Sequence, residues 1–494
     1  MRRLSVALFA AALVAGACGG ASVSPTPAPT ARPPFELAGT PMEACTLKDA
    51  WGVCGTLRVP EDRSDPEGRS IDLRVAVIPA ISTTPEPDPV FFLDGGPGGA
   101  ATEDLGWTAN YFTAVHLDRD IVLVDQRGTG GSNRLVSPQA PDTTGMTTAQ
   151  AKDTVARWVA DLLAKLPGDP RFYTTSVAMD DIDAVRAALG YDKINLYGAS
   201  YGATAAQYYM RQYPQHVRSV VLDGATLLDV PIFERIAANS QAALDIVLAR
   251  CNADQACHTA FPDVAAEFKS MMAKLAKSPV TTTVPHPWTG KPMVIDALTM
   301  AGAIHTALIT ADTSALIPLV IHEAYLGHWD AVAAAIASAM GPQSADTTQL
   351  VMSSVIRCSE AWARFDPAEV QRIGATSYDL DAQLAEARNQ AMSCPYVPKG
   401  VVPADDAAPV RSDLPALLIL GQADPQDPLA NVAKAPLDMP SSLTVVVPGE
   451  GHTVGHLGCM PQMVSAFIVA GTTKGLDTTC AATGVQLPPF RTAP

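Results

Sequence analysis

The chain has 494 residues, enough for a large core with an insertion and too many for one minimal domain. Lys and Arg number 34 against 50 Asp and Glu, a net charge of -16 at pH 7. That balance argues against nucleic acid and against extended contact with an anionic membrane surface, and it suits a well-dispersed soluble body.

Met1-Arg2-Arg3 is a short basic start, and Leu4 to Ala17 is apolar but too short to span a bilayer. Residues 1–17 read as an export signal. Arg2-Arg3 lacks the other features of a twin-arginine signal. The run ends in Ala15-Gly16-Ala17-Cys18, which resembles the lipobox of bacterial lipoproteins, whose cysteine becomes the lipidated N-terminus. Ala15 stands where leucine is usual, and the alternative is plain secretion with cleavage nearby. The expected location is extracytoplasmic, with membrane contact only through a lipid anchor at Cys18. Residues 18–41 are rich in Pro, Thr, Ala and Ser and are expected to form an extended tether.

Nine cysteines are present. Setting Cys18 aside leaves an even set, as suits an exported chain in which disulfides persist. They fall into neighbours: Cys45 with Cys54, Cys251 with Cys257, Cys358 with Cys394, and Cys459 with Cys480. Many connectivities are open to such a set, and local pairing is the simplest. No pair has zinc-finger spacing and the histidines lie elsewhere, so no metal site is expected.

Short apolar, β-branched runs follow the tether. They are "GTLRVP" from Gly55, "IDLRVAVIP" from Ile71, "PVFFLD" from Pro89, "DIVLVD" from Asp120, "KINLYG" from Lys193, "VRSVVLDG" from Val217, "ALLILG" from Ala416 and "LTVVVPG" from Leu443. The first two alternate and read as half-exposed strands. The later six are nearly continuous, as in parallel strands covered on both faces. Helical patterns over 149–166, 177–189 and 201–213 lie between them. The rhythm predicts an α/β fold with a mostly parallel eight-stranded sheet. Between Asp223 and Leu414 the sequence is mostly helical, including "SQAALDIVLARC" and "WDAVAAAIASAM". Residues 230–405 therefore read as a helical cap inserted after the sixth strand, between core segments 42–229 and 406–494.

The stretch Gly198-Ala199-Ser200-Tyr201-Gly202 fits G-x-S-x-G. That pattern is common by chance, but here it joins a strand to an amphipathic helix, the context of a nucleophile elbow. A serine hydroxyl is a poor nucleophile until a base takes its proton, so an acid and a histidine should follow. "LLILGQADPQDP" puts Asp424 just past the seventh strand, and "VVVPGEGHTVGH" puts His452 just past the eighth. Asp427 and His456 are the nearby rivals; each lies farther from its strand end. Catalytic groups in such sheets gather at the carboxyl ends of strands. "FFLDGGPGGA", Phe91 to Ala100, can aim a backbone N–H at a developing oxyanion, with a second from Tyr201. A phosphate loop fails for want of a trailing Gly-Lys-Ser/Thr. A dinucleotide fingerprint fails because Pro97 breaks its spacing and no ribose-binding acid follows a second strand.

With these motifs in view, "LDGGPGG", "VLVDQRGTGGS" and the stretch from Asp180 to Gly224 resemble the tripeptidyl aminopeptidase and prolyl aminopeptidase group of α/β-hydrolases. So do "CGTLRVPEDRSDPEGRSIDLRVAVIPA" and the ending "GHTVGHLGCM…TTCA", for the tripeptidyl branch. The resemblance runs from about Cys45 to Cys480 and is weakest in the cap. It implies an α/β-hydrolase fold with Ser200 as nucleophile, Asp424 as acid and His452 as base. Gly96 and Tyr201 would supply the oxyanion amides, with Gly95 the alternative to Gly96. Asp94 stands where prolyl aminopeptidases usually have histidine, and Asp427 where the tripeptidyl branch often has threonine. The implied activity is release of tripeptides or single residues from peptide N-termini through a Ser-acyl intermediate, with no cofactor. The alternatives are an esterase or amidase on small acyl substrates and, from another class, a non-catalytic binding lipoprotein, which the complete triad disfavours. A buried substrate amine needs a carboxylate. Glu360 in "IRCSEAW" is the expected partner, beside Cys358 and in a place where the resemblance puts an acid.

Overall fold

The computed structural model describes residues 34–493, apart from 49, 105–108, 136–140, 142, 144 and 341–348. The expected signal segment, Cys18 and the tether as far as residue 33 lie outside the described residues. The rest of the expected tether is folded. β1 (Glu36–Leu37) and β2 (Thr40–Pro41) form a short hairpin. Leu37 and Met42 are buried and Phe35 packs on the same core. These three apolar side chains draw the segment onto the sheet in spite of its prolines, so the folded body starts before residue 42.

The sheet consists of β3 (Glu43–Leu47), β4 (Ala50–Pro60), β5 (Ser70–Ile78), β6 (Val90–Leu93), β7 (Ile121–Val124), β8 (Ile194–Ala199), β9 (Val217–Asp223) and, beyond an insertion, β12 (Ala416–Gly421) and β13 (Ser442–Val447). Their spatial order is β13-β12-β9-β8-β6-β7-β5-β4-β3. β7, β6, β8, β9, β12 and β13 run parallel; β5, β4 and β3 add antiparallel. All eight expected strands form. The ninth, β3, escapes notice because "EACTL" is short, mostly exposed and holds no apolar run. β13 was expected to be covered on both faces, yet it is only partly buried because it closes the sheet's edge.

Alternation along the strands divides the core in two. Phe91, Leu93, Leu196 and Leu418 pack with Met179, Tyr208 and Tyr209. Val90, Phe92, Tyr197 and Ile419 face the other way, against Tyr111, Phe112, Val464 and Phe467. The strand pleat alone produces this division.

The insertion is mostly helical and starts with the long helix Ile232–Ala253. It also holds a hairpin of β10 (Val280–Pro285) and β11 (Pro292–Ile295), which the Thr-rich sequence conceals. The cap has its own core around Leu244, Val247, Phe268, Met271, Ile304 and Ile321. Ala423 of the sheet side and Phe490 of the closing segment pack into that core. Disulfides join Cys45–Cys54, Cys251–Cys257, Cys358–Cys394 and Cys459–Cys480. Among the described residues, no helix is long and apolar enough to cross a membrane.

Candidate active site

Ser200 sits between β8 and the helix Tyr201–Gln212, with φ 57° and ψ -124°. L-residues avoid this region, and holding one there costs about 1–3 kcal/mol. The glycines on either side make the turn feasible. A Cβ at Gly198 would lie 2.2 Å from the Gly202 carbonyl oxygen, and one at Gly202 would lie 1.9 Å from that of Leu93. The Ser200 amide donates to the Asp223 carbonyl at 2.8 Å, which pins the turn to the end of β9.

The histidine loop is fixed at several points. The His452 amide donates to the Ile309 carbonyl of the cap at 2.7 Å. Val454 and Gly455 amides donate to Asp223 Oδ1 and Oδ2 at 2.8 and 3.0 Å, and Tyr197 Oη donates to Oδ2 at 2.7 Å. Asp223, Tyr197 and Ile309 were not anticipated as site residues. The one available signal was Asp223, a charged residue ending the apolar run of β9.

Asp424 and His452 meet. His452 Nδ1 lies 2.8 Å from Asp424 Oδ2, and Asp424 Oδ1 accepts from the Gln426 and Asp427 amides at 2.8 and 2.9 Å. Burial pushes the Asp424 carboxyl up, but the His452 charge and these hydrogen bonds outweigh it and hold it below the ordinary carboxylate range. For His452, burial acts to lower the imidazole, and Asp424 overcomes it, so the ring is held above its ordinary range. Facing two carboxylates, Nδ1 carries the proton, which leaves Nε2 as the basic nitrogen. His452 Nε2 is buried and has no hydrogen-bond partner among the described residues. The expected rival His456 packs against Tyr111 instead, with ring centroids 5.0 Å apart and the planes tilted by 55°. Asp427 stands farther off, with Oδ2 3.6 Å from His452 Nδ1. Asp424, Asp427 and His452 are also compact enough to be considered for a metal. An Nδ1 that donates to a carboxylate has no lone pair left for one.

Ser200 and His452 line a cavity of about 860 Å³ with Gly95, Gly96 and Ile309. The Gly95 amide is taken by Asp94 Oδ1 at 2.7 Å. Gly96 and Tyr201 amides have no acceptor among the described residues. Among the described residues, four acids line the same cavity, Asp94, Asp104, Asp312 and Glu450, and no Lys or Arg does. Asp94 is pushed up to about 7 by burial and by the neighbouring Asp104. Glu450 is likewise pushed up to about 7, chiefly by burial.

Glu360 is not where it was expected. It does not line the cavity. Its carboxylate is buried and accepts from the Thr175 amide and hydroxyl, both at 2.7 Å. Thr175 Oγ1 in turn lies 2.7 Å from Tyr201 Oη. Cys358 fixes Glu360 as anticipated, but against the start of the Thr175–Ala188 helix rather than toward substrate. Both its oxygens are occupied, so through Thr175 it braces Tyr201, the residue after Ser200.

Residues 88–256 match the family described as alpha/beta hydrolase fold, and residues 382–480 match the TAP-like protein family. The chain has the α/β-hydrolase fold. Within that fold it is similar to serine protease Hip1 of Mycobacterium tuberculosis, at 31% identity over 188 residues, covering 35% of this chain and 36% of that protein. It is similar to tripeptidyl aminopeptidase of Streptomyces lividans, at 32% identity over 210 residues, covering 38% of each. Proline iminopeptidase of Neisseria gonorrhoeae is 33% identical over 147 residues, covering 30% of this chain and 35% of its own. The matched stretches thus span little more than a third of these relatives.

Proposed function

We propose that the chain is a serine hydrolase that cleaves peptides at their N-terminal end. The observation that carries this is the meeting, in one cavity, of a strained serine, a histidine with a free Nε2 held by Asp424, and the unoccupied Gly96 amide, with the Tyr201 amide next in the chain to the serine. His452 Nε2 takes the Ser200 proton as Oγ attacks the scissile carbonyl. The oxyanion is received by Gly96 and Tyr201 amides. His452 then returns the proton to the leaving amine, and water releases the acyl group by the same steps in reverse.

The acidic lining supports the choice of end. A cavity lined, among the described residues, by four carboxyls and no Lys or Arg favours a cationic ammonium over a free carboxylate. The named relatives, an aminopeptidase, an iminopeptidase and a protease, support the same reading. Four disulfides support export to an oxidising compartment, and anchoring through Cys18 completes the proposal.

Ser200→Ala should abolish both turnover and labelling by a fluorophosphonate while the fold persists. A panel of free-amine aminoacyl and tripeptidyl fluorogenic substrates, run beside N-blocked peptides and short acyl esters, should show preference for the free amines. Preference for blocked peptides or esters would replace this reading with the esterase or amidase one.

A further inference from the structure

His452 has two acidic neighbours at Nδ1, where the proposed triad uses one. Asp427 Oδ2 lies 3.6 Å from that nitrogen, against 2.8 Å for Asp424 Oδ2. Asp427 is as thoroughly buried as a core side chain, 5% exposed. Its carboxylate is not loose. Thr226 Oγ1 donates to Asp427 Oδ1 in a short hydrogen bond, and Asn431 Nδ2 donates to Thr226 Oγ1 at 2.8 Å. The Asn431 bond occupies a lone pair of the threonine and turns its single proton toward Asp427. The Asp427 amide meanwhile donates to Asp424 Oδ1. The two carboxylates are therefore built as one unit around the imidazole edge.

We propose that Asp427 is a positioning residue of this site, a second carboxylate that shares the Nδ1 edge of His452 with Asp424 and sets the pH range in which the histidine acts as base. The inference rests on Ser200, His452 and Asp424 being the catalytic groups. A buried carboxylate so close to an imidazole favours its charged form. An ionised Asp427 therefore keeps His452 protonated to higher pH, and a neutral one releases it. Asp427 is itself pushed up to about 7 by burial, against the pull of His452, so its own charge changes near neutrality.

The other groups facing His452 do not take this role. Asp223 is pushed up to about 6 by burial, but its oxygens are held by Tyr197, Val454 and Gly455. His305, on the cap helix Ala297–Ala307, is lowered to about 4 by burial and stays neutral. Glu450 and His456 flank His452 on its own loop and line the cavity, and Ser200 faces it from the elbow.

The test is the pH profile of kcat/KM for wild type, Asp427→Asn and Thr226→Val, with Ser200→Ala as the blank. In Asp427→Asn the acid limb should move to lower pH by about one unit. Its plateau should fall by less than about tenfold, against about 10⁴-fold for Asp424→Asn. Thr226→Val removes the hydroxyl that holds Asp427 charged, so its limb should move the same way by a smaller amount. An acid limb that stays in place in Asp427→Asn overturns the proposal, whatever happens to the plateau. Should that variant fail to fold, an unmoved limb in Thr226→Val overturns it equally. Turnover that survives in Ser200→Ala would instead remove the triad on which the proposal stands.

Discussion

Replacing Gly202 by alanine tests the elbow without touching a catalytic group. The added Cβ would lie 1.9 Å from the Leu93 carbonyl oxygen, 2.6 Å from its carbon and 3.0 Å from the Asp94 carbonyl oxygen. Ordinary contact begins near 3.4 Å, so the helix start must retreat by about 1.5 Å. Leu93 cannot give way, because β6 is held on both sides by β7 and β8. The retreat falls on Ser200 and on the Tyr201 amide together. A misplacement of about 1 Å costs roughly a hundredfold in rate, and overpacking of this kind costs about 1–3 kcal/mol of stability. Gly202→Ala should therefore lose about two orders of magnitude in kcat/KM and in fluorophosphonate labelling, with a modest fall in Tm. Gly302→Ala is the control. It lies inside the cap helix with nothing within 4 Å of its added Cβ, and should gain about 0.5–1 kcal/mol with activity unchanged. Wild-type labelling by Gly202→Ala at an unchanged Tm would refute the steric account of the elbow.

Asp424→Asn should cost about 10⁴-fold in kcat, and His456→Ala, whose ring packs against Tyr111, far less; steady-state kinetics that rank them in reverse would reassign the loop. Stability should fall between about pH 4.5 and about pH 7. Glu360 is pushed up to about 7 by burial from an ordinary 4.5, so its stabilising contribution is complete below 4.5 and is lost as pH rises through about 7. Asp379 and Glu450, also pushed up to about 7, act in the same direction. Thermal melts should show the fall, smaller in Glu360→Gln; a Tm that rises over that interval contradicts it. Because Glu360 braces Tyr201 rather than facing the cavity, Glu360→Gln should weaken turnover of free-amine and blocked substrates alike, and a loss confined to free amines would restore its expected role.

Much of the proposed site was legible because its signals are local. Ser200, Asp424 and His452 each follow an apolar run, and a strand end can be read from a few neighbours. Their rivals were separable only in space. Asp427 is three residues from Asp424, and only the folded loop shows which carboxylate reaches Nδ1 first. Gly96 and Gly95 differ through one hydrogen bond to Asp94, which no spacing announces. Glu360 misled for a related reason. A helical acid beside a disulfide can face substrate or a neighbouring helix, and Thr175, remote in sequence, decided it. β3 and the β10–β11 hairpin were missed because Thr-rich or short strands gain their stability from pairing, not from composition.

The hydrogen bond from the His452 amide to the Ile309 carbonyl ties the cap to the proposed base. Gly451, next along the loop, lies so near Ile309 and Leu308 that even a methyl group would meet their carbonyl oxygens at 2.4 and 2.7 Å. Roofs of this kind invite exchange between enzymes, since they are inserted as one stretch between two strands. Here a grafted roof that lacks a carbonyl in the place of Ile309 would leave the sheet untouched and the His452 amide without its partner. Domain shuffling on this scaffold is thus restricted at the Ile309 carbonyl as well as at Glu360, and any successful chimera has to carry its own counterpart of that turn.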